Sequence, residues 1–325
     1  MTRSSAAWSR KTSCAAVIVL GLVWTGACQQ RTATTVRSEV SAGSSVGSAG
    51  ATSAAGSAGS AVAPAAADAG SAAGAPSEFG PGGAIRYAAK AANTDFFSIN
   101  EDEQAFFIAS WDATGAAATK RAAEAFEELY RKTVDLDATW PYPMDPKRSY
   151  IENRLACGIR SANAALQAAP GRQRAMAIAA VVSGDAISIA HVGKDRAYLV
   201  RDGQIRQLTL DHSMLEEYRR EHPDAAQADL DRLPRKDVLT RALGRRDSVE
   251  VDVLTERVRD GDRILLASEA LHRTLEEQTI LEAVREHGLE KADLEEAVQG
   301  VWDRAARRGG PQVTVILLGF VMKQR

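Results

Sequence analysis

The sequence predicts an α+β fold in which helices cover a β-sheet built largely from antiparallel hairpins. The middle of the chain holds short apolar or alternating runs, as expected of strands, at residues 176–183, 186–192 and 197–200. Ser183-Gly184-Asp185 separates the first two runs, and Asp202-Gly203 follows the third. Because such turn residues join neighbouring antiparallel strands, these runs are predicted to form hairpins.

Segments with helical periodicity surround these strands. Apolar residues three or four positions apart, such as Ala122, Phe126 and Leu129, predict a helix over 115–134. Similar spacing predicts helices over 151–168, 276–287 and 291–307, and two apolar runs predict late strands over 263–267 and 313–321. The residues alone therefore predict a mixed sheet covered by helices.

The first 28 residues have the layout of a secretory signal peptide. Arg3, Arg10 and Lys11 precede an apolar stretch over 14–24, which is too short for a comfortable membrane-spanning helix. The following Thr25-Gly26-Ala27-Cys28 resembles a bacterial lipobox, with Thr25 in place of the usual leucine-like residue. We expect a lipid on Cys28 that anchors the chain in the cell envelope. Because Gln29 is not an aspartate, the outer membrane is favoured. An uncleaved anchor and plain secretion are the alternatives.

Residues 29–83 are predicted to form a disordered tether. From about Ser38 onward they are almost entirely Ala, Gly, Ser and Pro, which bury too little apolar surface to offset the entropy of ordering the chain. The remaining residues, 84–325, have the length of one large domain.

Charge and cysteine content exclude some functions. The 325 residues carry a net charge of −2 and no long block of Lys or Arg, so nucleic acid is not an expected partner. Once Cys28 is lipidated, Cys157 is the remaining thiol of the mature chain, and its Ala-rich surroundings predict a small buried side chain. The five histidines show no zinc-ligand spacing and are predicted to be structural or solvent-exposed.

The centre of the chain carries a long ordered motif. Residues 191–203 are HVGKDRAYLVRDG and residues 208–213 are LTLDHS. This stretch resembles the signature of metal-dependent serine/threonine phosphatases of the PP2C type, H-V-G-D-S-R-A-Y-L-x-R-D-G followed by L-T-x-D-H-S. Other matches keep the family's order: KAANTD at 90–95, similar to R-x-x-N-x-D, then VLTRALG at 238–244, GDRILLAS at 261–268 and VTVILL at 313–318.

The resemblance implies a PP2C-like four-layer α-β-β-α sandwich of two antiparallel sheets flanked by helices. It also implies two Mg²⁺ or Mn²⁺ ions between the sheets, held mainly by aspartates, with a bridging water that attacks phosphorus. Periodicity and composition are compatible with that sandwich but do not by themselves predict it.

Several metal-binding positions of the family carry other residues here. Ser110 and Trp111 stand in place of the Asp-Gly of V-A-D-G, and Asp112 comes two positions late. Glu269 replaces the aspartate of S-D-G, and Pro311-Gln312 replaces the D-N that precedes the last strand. Glutamate can still ligate a metal, although its longer arm misplaces the oxygen for the octahedral geometry of Mg²⁺.

The loop after residue 192 changes the charge of the site. Lys194 stands where the family has the aspartate of G-D-S-R, unless the neighbouring Asp195 takes that role. A lysine that faces the site repels a cation by on the order of 4 kcal/mol per unit charge at about 4 Å and a dielectric constant of about 20. A lysine that points to solvent has no such effect.

The opening motif retains part of the family's chemistry. Asp95 keeps the place of a metal-linked aspartate. Lys90 stands where the family uses an arginine to hold the substrate phosphate, and a lysine attracts phosphate without binding it bidentately.

We therefore expect a scaffold whose catalytic centre is largely lost. The leading hypothesis is a lipid-tethered pseudophosphatase that binds a protein or a phosphorylated ligand and needs no metal cofactor. The first alternative is an active phosphatase that binds Mn²⁺ or Mg²⁺ through Asp95, Asp112, Glu269 and Asp195. The second is an envelope structural or interaction protein that shares only the fold. A point at which three carboxylates meet would favour the active enzyme.

Overall fold

The computed structural model describes residues 83–92, 94–111, 115–133, 139–309 and 313–321, together with three short strands nearer the N-terminus. The chain divides into two compact units, Met1–Thr32 and Ala33–Arg325, and all described residues belong to the second. The predicted signal peptide and Cys28 lie outside the described residues, so their assignment stays a prediction. Within the described part, no helix is long and apolar enough to cross a membrane.

Strands account for most of the described core. In chain order they are β1 (Thr35–Arg37), β2 (Ser71–Ala73), β3 (Ser77–Phe79), β4 (Gly83–Lys90), β5 (Phe96–Asn100), β6 (Ala105–Ser110), β7 (Met176–Ser183), β8 (Ala186–Val192), β9 (Arg196–Arg201), β10 (Gln204–Gln207), β11 (Asp252–Arg257), β12 (Arg263–Ala267) and β13 (Val315–Val321).

Helices fall into a pair before β7, a short pair after β10 and a group between β12 and β13. They are α1 (Ala116–Lys132), α2 (Tyr150–Gln167), α3 (Met214–Glu221), α4 (Gln227–Arg232), α5 (Glu269–Thr274), α6 (Glu277–Arg285) and α7 (Lys291–Arg307).

The strands form two sheets, and every pairing among the described strands is antiparallel. The first sheet has the order β1-β5-β6-β7-β8-β11, and the second has the order β10-β9-β12-β13-β4-β2, with β3 also paired to β4. Hairpin turns connect β7 to β8 and β9 to β10. Asp202 and Gly203 both adopt positive φ in the second turn, at 52° and 73°, as a tight hairpin turn requires.

The core has three apolar layers because strand side chains alternate between the two faces of a sheet. On β6, Phe106 and Ile108 point into the layer between the sheets. Phe107 and Ala109 point outward and pack against α1 and α2. The outer face of the second sheet packs in the same way against α6 and α7. The architecture is thus the four-layer α-β-β-α sandwich that the resemblance implied.

Most predicted elements are confirmed within one or two residues. β7, β8, β12 and α7 have the predicted bounds, whereas β13 begins at Val315 instead of residue 313. Thr314, just before β13, instead makes hydrogen bonds to neighbouring loops. The residues alone predicted a mixed sheet, whereas the described strands form two antiparallel sheets, as the resemblance implied. Strands buried on both faces do not show in sequence which sheet they join.

Three short strands fall within the stretch predicted to be a tether. β2 and β3 pair with β4, and β1 pairs with β5. The other residues of 29–82 lie outside the described part of the chain, and the disordered tether stays a prediction for them.

Candidate functional site

Polar side chains from both sheets meet at one end of the sandwich. Asp95 precedes β5, Ser110 ends β6, Asp195 lies between β8 and β9, and Ser268 and Thr314 flank the paired strands β12 and β13. We call these five residues and Glu269 the polar cluster. All of its members except Glu269 are buried. Because buried polar groups need hydrogen-bond partners, the partners of each member show what its side chain is available to bind.

Asp95 accepts hydrogen bonds from donors on two other segments. Its Oδ2 accepts a hydrogen bond from Thr314 Oγ1 at 2.6 Å, and its Oδ1 accepts one from the backbone N–H of Trp111 at 3.3 Å. Burial raises the pKa of this carboxyl from 3.8 to about 6, and the hydrogen bonds from Thr314 and Trp111 oppose the rise. Both oxygens therefore already have protein donors.

Hydrogen bonds between Ser268, just after β12, and Thr314, just before β13, connect these two strands at the site. Thr314 Oγ1 accepts from Ala92 N at 2.9 Å, and Ser268 Oγ accepts from Thr314 N at 3.0 Å. The backbone N–H of Ser268 donates to Thr314 O at 2.9 Å. These bonds fix the hydroxyl that donates to Asp95.

Asp195 is the most deeply buried acid of the cluster. Its Oδ1 accepts from Ser110 Oγ at 2.6 Å and from the backbone N–H of Glu269 at 3.0 Å, while its buried Oδ2 has no hydrogen-bond partner. Burial raises the pKa of Asp195 well above its usual value, and the nearby charges of Asp95 and Glu269 add to the rise. The hydrogen bonds from Ser110 and Glu269 oppose it.

At positions 110 and 195, this chain has serine and aspartate where the family motifs have aspartate and serine. Those motifs place an aspartate at the position of Ser110, in V-A-D-G, and a serine at the position of Asp195, in G-D-S-R. In this chain the two positions are in direct contact with hydroxyl and carboxylate exchanged. The carboxylate has therefore moved from the end of β6 to the loop between β8 and β9.

Glu269 forms an ion pair with Lys194. The Lys194 ammonium contacts Glu269 Oε1 and also donates to the carbonyl oxygen of Asp237 at 3.2 Å. The two side chains are only 12% and 17% exposed. Lys194 thus faces the site and does not point to solvent, which settles that alternative.

A cleft of about 660 Å³ opens beside the cluster. Lys194 and Glu269 line it, whereas Asp95, Ser110 and Asp195 are 7%, 2% and 1% exposed and lie beneath the surface. The rest of the lining mixes both signs of charge: Arg196, Asp211, Glu216, Arg219, Asp237, His272 and Arg273, with Ser213 and Leu215.

Lys90 takes part in a different contact. Its ammonium donates to Gln299 Oε1 at 2.8 Å and lies 4.4 Å from the centroid of the Trp302 ring, both on α7. These contacts belong to the outer helical layer and do not support the phosphate-binding role predicted for Lys90. Asp112, Pro311 and Gln312 lie outside the described residues, so a role for them stays untested.

A second polar group, which the sequence did not predict, lies further along the chain. Among the described residues, the only three His, Cys, Asp or Glu side chains with ligand atoms within 4.8 Å of one another are His191, His212 and Asp252. The rings of His191 and His212 stack at 4.7 Å, and Asp252 accepts from His212 at 3.2 Å and from Arg241 at 2.6 Å.

Arg241 supplies the positive charge of this second group. Burial lowers the pKa of His191 to about 4, and the stacked His212 ring adds to the effect. Burial alone would raise the pKa of Asp252, but His212 and Arg241 lower it below its usual range. The group is thus a partly buried network in which Arg241 pairs with Asp252. The position of both histidines in the HVG and DHS motifs is the sequence signal that could have linked them.

The polar cluster does not fit a two-metal centre in the described residues. Mg²⁺ requires near-octahedral oxygen coordination. Asp95 has both oxygens bonded, Glu269 is paired with Lys194 through Oε1, and Asp195 Oδ2 is the one fully buried oxygen of these acids without a hydrogen-bond partner.

Comparisons with known proteins agree with the fold. A "Serine/threonine phosphatase stp" of Listeria monocytogenes is 33% identical over 149 residues, which are 46% of this chain and 57% of the relative. The Mycobacterium tuberculosis "Serine/threonine protein phosphatase PstP" is 31% identical over 147 residues, 44% of this chain and 27% of that protein. The matches thus span 57% or less of the length of these relatives.

Solved structures cover more of the chain. The crystal structure of the M. tuberculosis phosphatase PstP/Ppp has a TM-score of 0.56 and 24% identity, covering 74% of this chain and 99% of that one. A PstP catalytic domain in complex with two manganese ions has a TM-score of 0.55 and 25% identity, covering 73% and 98%. Stp1 of Staphylococcus aureus has a TM-score of 0.58 and 18% identity, covering 77% and 99%. The model of the family "Protein phosphatase 2C" matches residues 89–312. Since that match covers more than half of the sequence and the sandwich is the same, the chain belongs to the protein phosphatase 2C family.

Proposed function

We propose that this protein is a membrane-tethered PP2C-like domain that acts as a pseudophosphatase. It binds a protein or a phosphorylated ligand at its cleft and does not hydrolyse it. The tether is a lipid on Cys28 that holds the domain in the cell envelope, with the outer membrane favoured.

The observation that carries this proposal is the state of the acids in the polar cluster. Within the described part of the chain, no three acidic side chains bring ligand oxygens within 4.8 Å of one another. The acids instead accept hydrogen bonds from Thr314, Trp111 and Ser110 or pair with Lys194. Two-metal phosphoryl transfer needs ions that polarise the phosphate and generate the nucleophile, and each lost ligand weakens both functions.

The second candidate is an active serine/threonine phosphatase with an altered metal site. The exchanged Ser110–Asp195 pair favours it, because a carboxylate is retained at that point and its Oδ2 has no partner. The printed names of the relatives are those of serine/threonine phosphatases, and one solved neighbour holds two manganese ions. This candidate requires Asp112 or another residue outside the described part to complete the ligand set.

The test is a Mn²⁺ titration of the full chain by calorimetry, with hydrolysis of p-nitrophenyl phosphate and a phosphothreonine peptide assayed in the same samples. An Asp95→Ala, Glu269→Ala double variant is the control. We expect no saturable Mn²⁺ binding and no turnover above that control. Saturable binding and turnover that both disappear in the control would establish the active enzyme instead.

A fold-sharing interaction protein is the remaining alternative, and it uses a surface other than the cleft. Cross-linking from a photoreactive group placed at Arg273, on the cleft wall, and from one at Lys120, exposed on α1, separates the two. The pseudophosphatase predicts partner capture from position 273 alone. Capture from position 120 alone would assign the binding to the helical face.

A further inference from the structure

The positive charge beside Glu269 of the polar cluster comes from a side chain of the protein, Lys194. We propose that the Lys194 ammonium is the resident cation of the cleft, which neutralises Glu269 where a divalent metal ion would otherwise bind. This inference rests on the proposed function and gives a physical reason why a pseudophosphatase with this cleft would not bind a divalent metal ion.

The contacts of Lys194 are those of a fixed cation. Its ammonium binds the carboxylate of Glu269 and the carbonyl oxygen of Asp237, so two oxygen acceptors from different segments converge on one positive charge. Glu269 stands at the position of a family metal ligand, and Lys194 stands at the position of another. The two substitutions therefore meet in space and cancel each other's charge.

The backbone around Lys194 is held firmly. Its carbonyl oxygen is 3.0 Å from His272 Nε2, and its N–H donates to Met176 Sδ at 3.4 Å. The preceding Gly193 has a φ of 113°, and a Cβ there would lie 2.5 Å from the Met176 side chain. These contacts hold the loop backbone on both sides of position 194 while its side chain reaches Glu269.

Because Lys194 is mostly buried beside Glu269, its ammonium opposes the binding of a divalent metal ion to that carboxylate. A lysine left free would keep its flexible stem and ammonium in water, yet Lys194 is only 12% exposed. A divalent ion at Glu269 would have to displace this ammonium or tolerate its repulsion, which is strong at such short range. The cleft therefore holds its anion without an exogenous ion.

The test reverses the charge at position 194 in the full chain. Lys194→Asp restores the family residue, and Lys194→Met removes the charge while keeping the volume of the side chain. Lys291→Asp makes the same charge change at an exposed position at the start of α7 and is the matched control. Calorimetry and the Mn²⁺-dependent shift of Tm are measured for each variant.

We expect Lys194→Asp to show saturable Mn²⁺ binding that the wild type lacks, a gain in affinity on the order of 100-fold or more, because the change removes a short-range repulsion and adds a carboxylate. Lys194→Met should show a smaller gain and Lys291→Asp none. Without metal, Lys194→Met and Glu269→Gln should each lower Tm, and the double variant should lower it by less than their sum.

The results separate this inference from the proposed function. Hydrolysis by the wild type with Mn²⁺ would overturn the proposed function and, with it, the role of Lys194. An inert wild type, whose Lys194→Asp and Lys194→Met variants bind no more Mn²⁺ than Lys291→Asp, would overturn the resident cation alone. Additive Tm changes at positions 194 and 269 would also overturn it.

Discussion

At the residue scale, the Ser110–Asp195 contact shows how a site can keep a carboxylate while changing the segment of the chain that supplies it. A hydroxyl donates to a carboxylate at 2.6 Å in a place with almost no solvent access. The pair keeps one hydroxyl and one carboxylate, so exchanging the two residues preserves both charge and hydrogen bond. Changing only one of them does not.

This exchange predicts a strong coupling between positions 110 and 195. Ser110→Asp alone places two buried carboxyls in contact and should lower the free energy of unfolding by about 2–4 kcal/mol. Asp195→Ser alone should cost about 1–2 kcal/mol because the N–H of Glu269 loses its acceptor. The double exchange should recover to within about 1.5 kcal/mol of the wild type, as measured by urea denaturation. A double variant as unstable as the sum of the single changes would show that the two positions are independent.

Asp95 gives the domain a measurable pH dependence. Burial raises the pKa of Asp95 to about 6 in the folded chain, from the ordinary value of 3.8. Since the folded value is the higher one, the stabilisation is fully present below pH 4 and is lost as the pH rises through 6. At about 1.4 kcal/mol per pKa unit, the loss is about 3 kcal/mol.

The measurement compares urea denaturation of the wild type and Asp95→Asn in EDTA at several pH values. Relative to the variant, the free energy of unfolding of the wild type should fall between pH 4 and 6 and then stay level. Parallel curves for the two proteins would mean that Asp95 titrates normally. Asp195 shifts in the same direction, so some decline is expected to persist in the variant.

The sequence predicted which acids belong to the site but not their partners. The motif positions identified Asp95, Asp195 and Glu269, and the structure brings all three to the polar cluster. The pairing of Lys194 with Glu269 depends on the direction of a loop side chain, which no periodicity encodes. Lys90 shows the same limit, because a motif match gives a position on a strand but not a partner such as Trp302.

At the element scale, the packing of α1 against α2 depends on Gly158. A Cβ at this position would lie 2.7 Å from the Phe126 ring. That ring stacks on Phe107 at 4.3 Å and on Tyr130 at 5.5 Å, so it has little room to move. The glycine is therefore required by the close approach of the two helices and not by backbone conformation.

Gly158→Ala should destabilise the domain by about 1–3 kcal/mol through overpacking. Gly300→Ala is the matched control, since its Cβ would meet only the flexible end of Arg304 at 3.0 Å. In that helix interior, alanine should stabilise by about 0.5–1 kcal/mol. Thermal unfolding of both variants decides the matter, and equal shifts in the same direction would refute the packing argument.

The elements themselves were well predicted where their pattern is strong. α7 has a clear apolar stripe, and its bounds are those that the periodicity predicts. β7 is buried on both faces except at its last residue, so its apolar run predicts a strand but not its neighbours. The division into two sheets followed from the motif resemblance, because pairings such as β4 with β13 join segments more than 200 residues apart in the sequence.

At the scale of the whole molecule, the polar cluster joins the two sheets at the end of the sandwich. Ser110 belongs to the first sheet, while the Glu269 N–H that shares the Asp195 oxygen follows β12 of the second. Thr314 and Asp95 make a similar connection between the segments before β13 and β5. Hydrogen bonds between the two sheets therefore underlie the cleft, an arrangement that suits a binding surface as well as it would suit catalysis.

The proposed place of the domain in the cell rests on Cys28, because two adjacent features of the sequence predict an anchored chain. The apolar stretch over 14–24 ends in small residues before the cysteine, and an Ala, Gly and Ser-rich stretch follows it. A tether of the predicted kind would reach a distance that grows with the square root of its length. A lipid at Cys28 would thus leave the cleft free to meet a partner at some distance from the membrane.

Cys28→Ala should move the protein from the membrane fraction to the soluble or secreted fraction, because the lipid provides the binding energy for the bilayer. Fractionation followed by mass spectrometry of the intact chain measures both the location and the mass of the lipid. Cys157→Ala is the control, since that thiol is buried in α2 and its loss should leave the location unchanged. Membrane retention of Cys28→Ala at an uncleaved mass would identify the apolar stretch itself as the anchor, and release of the wild type would identify plain secretion.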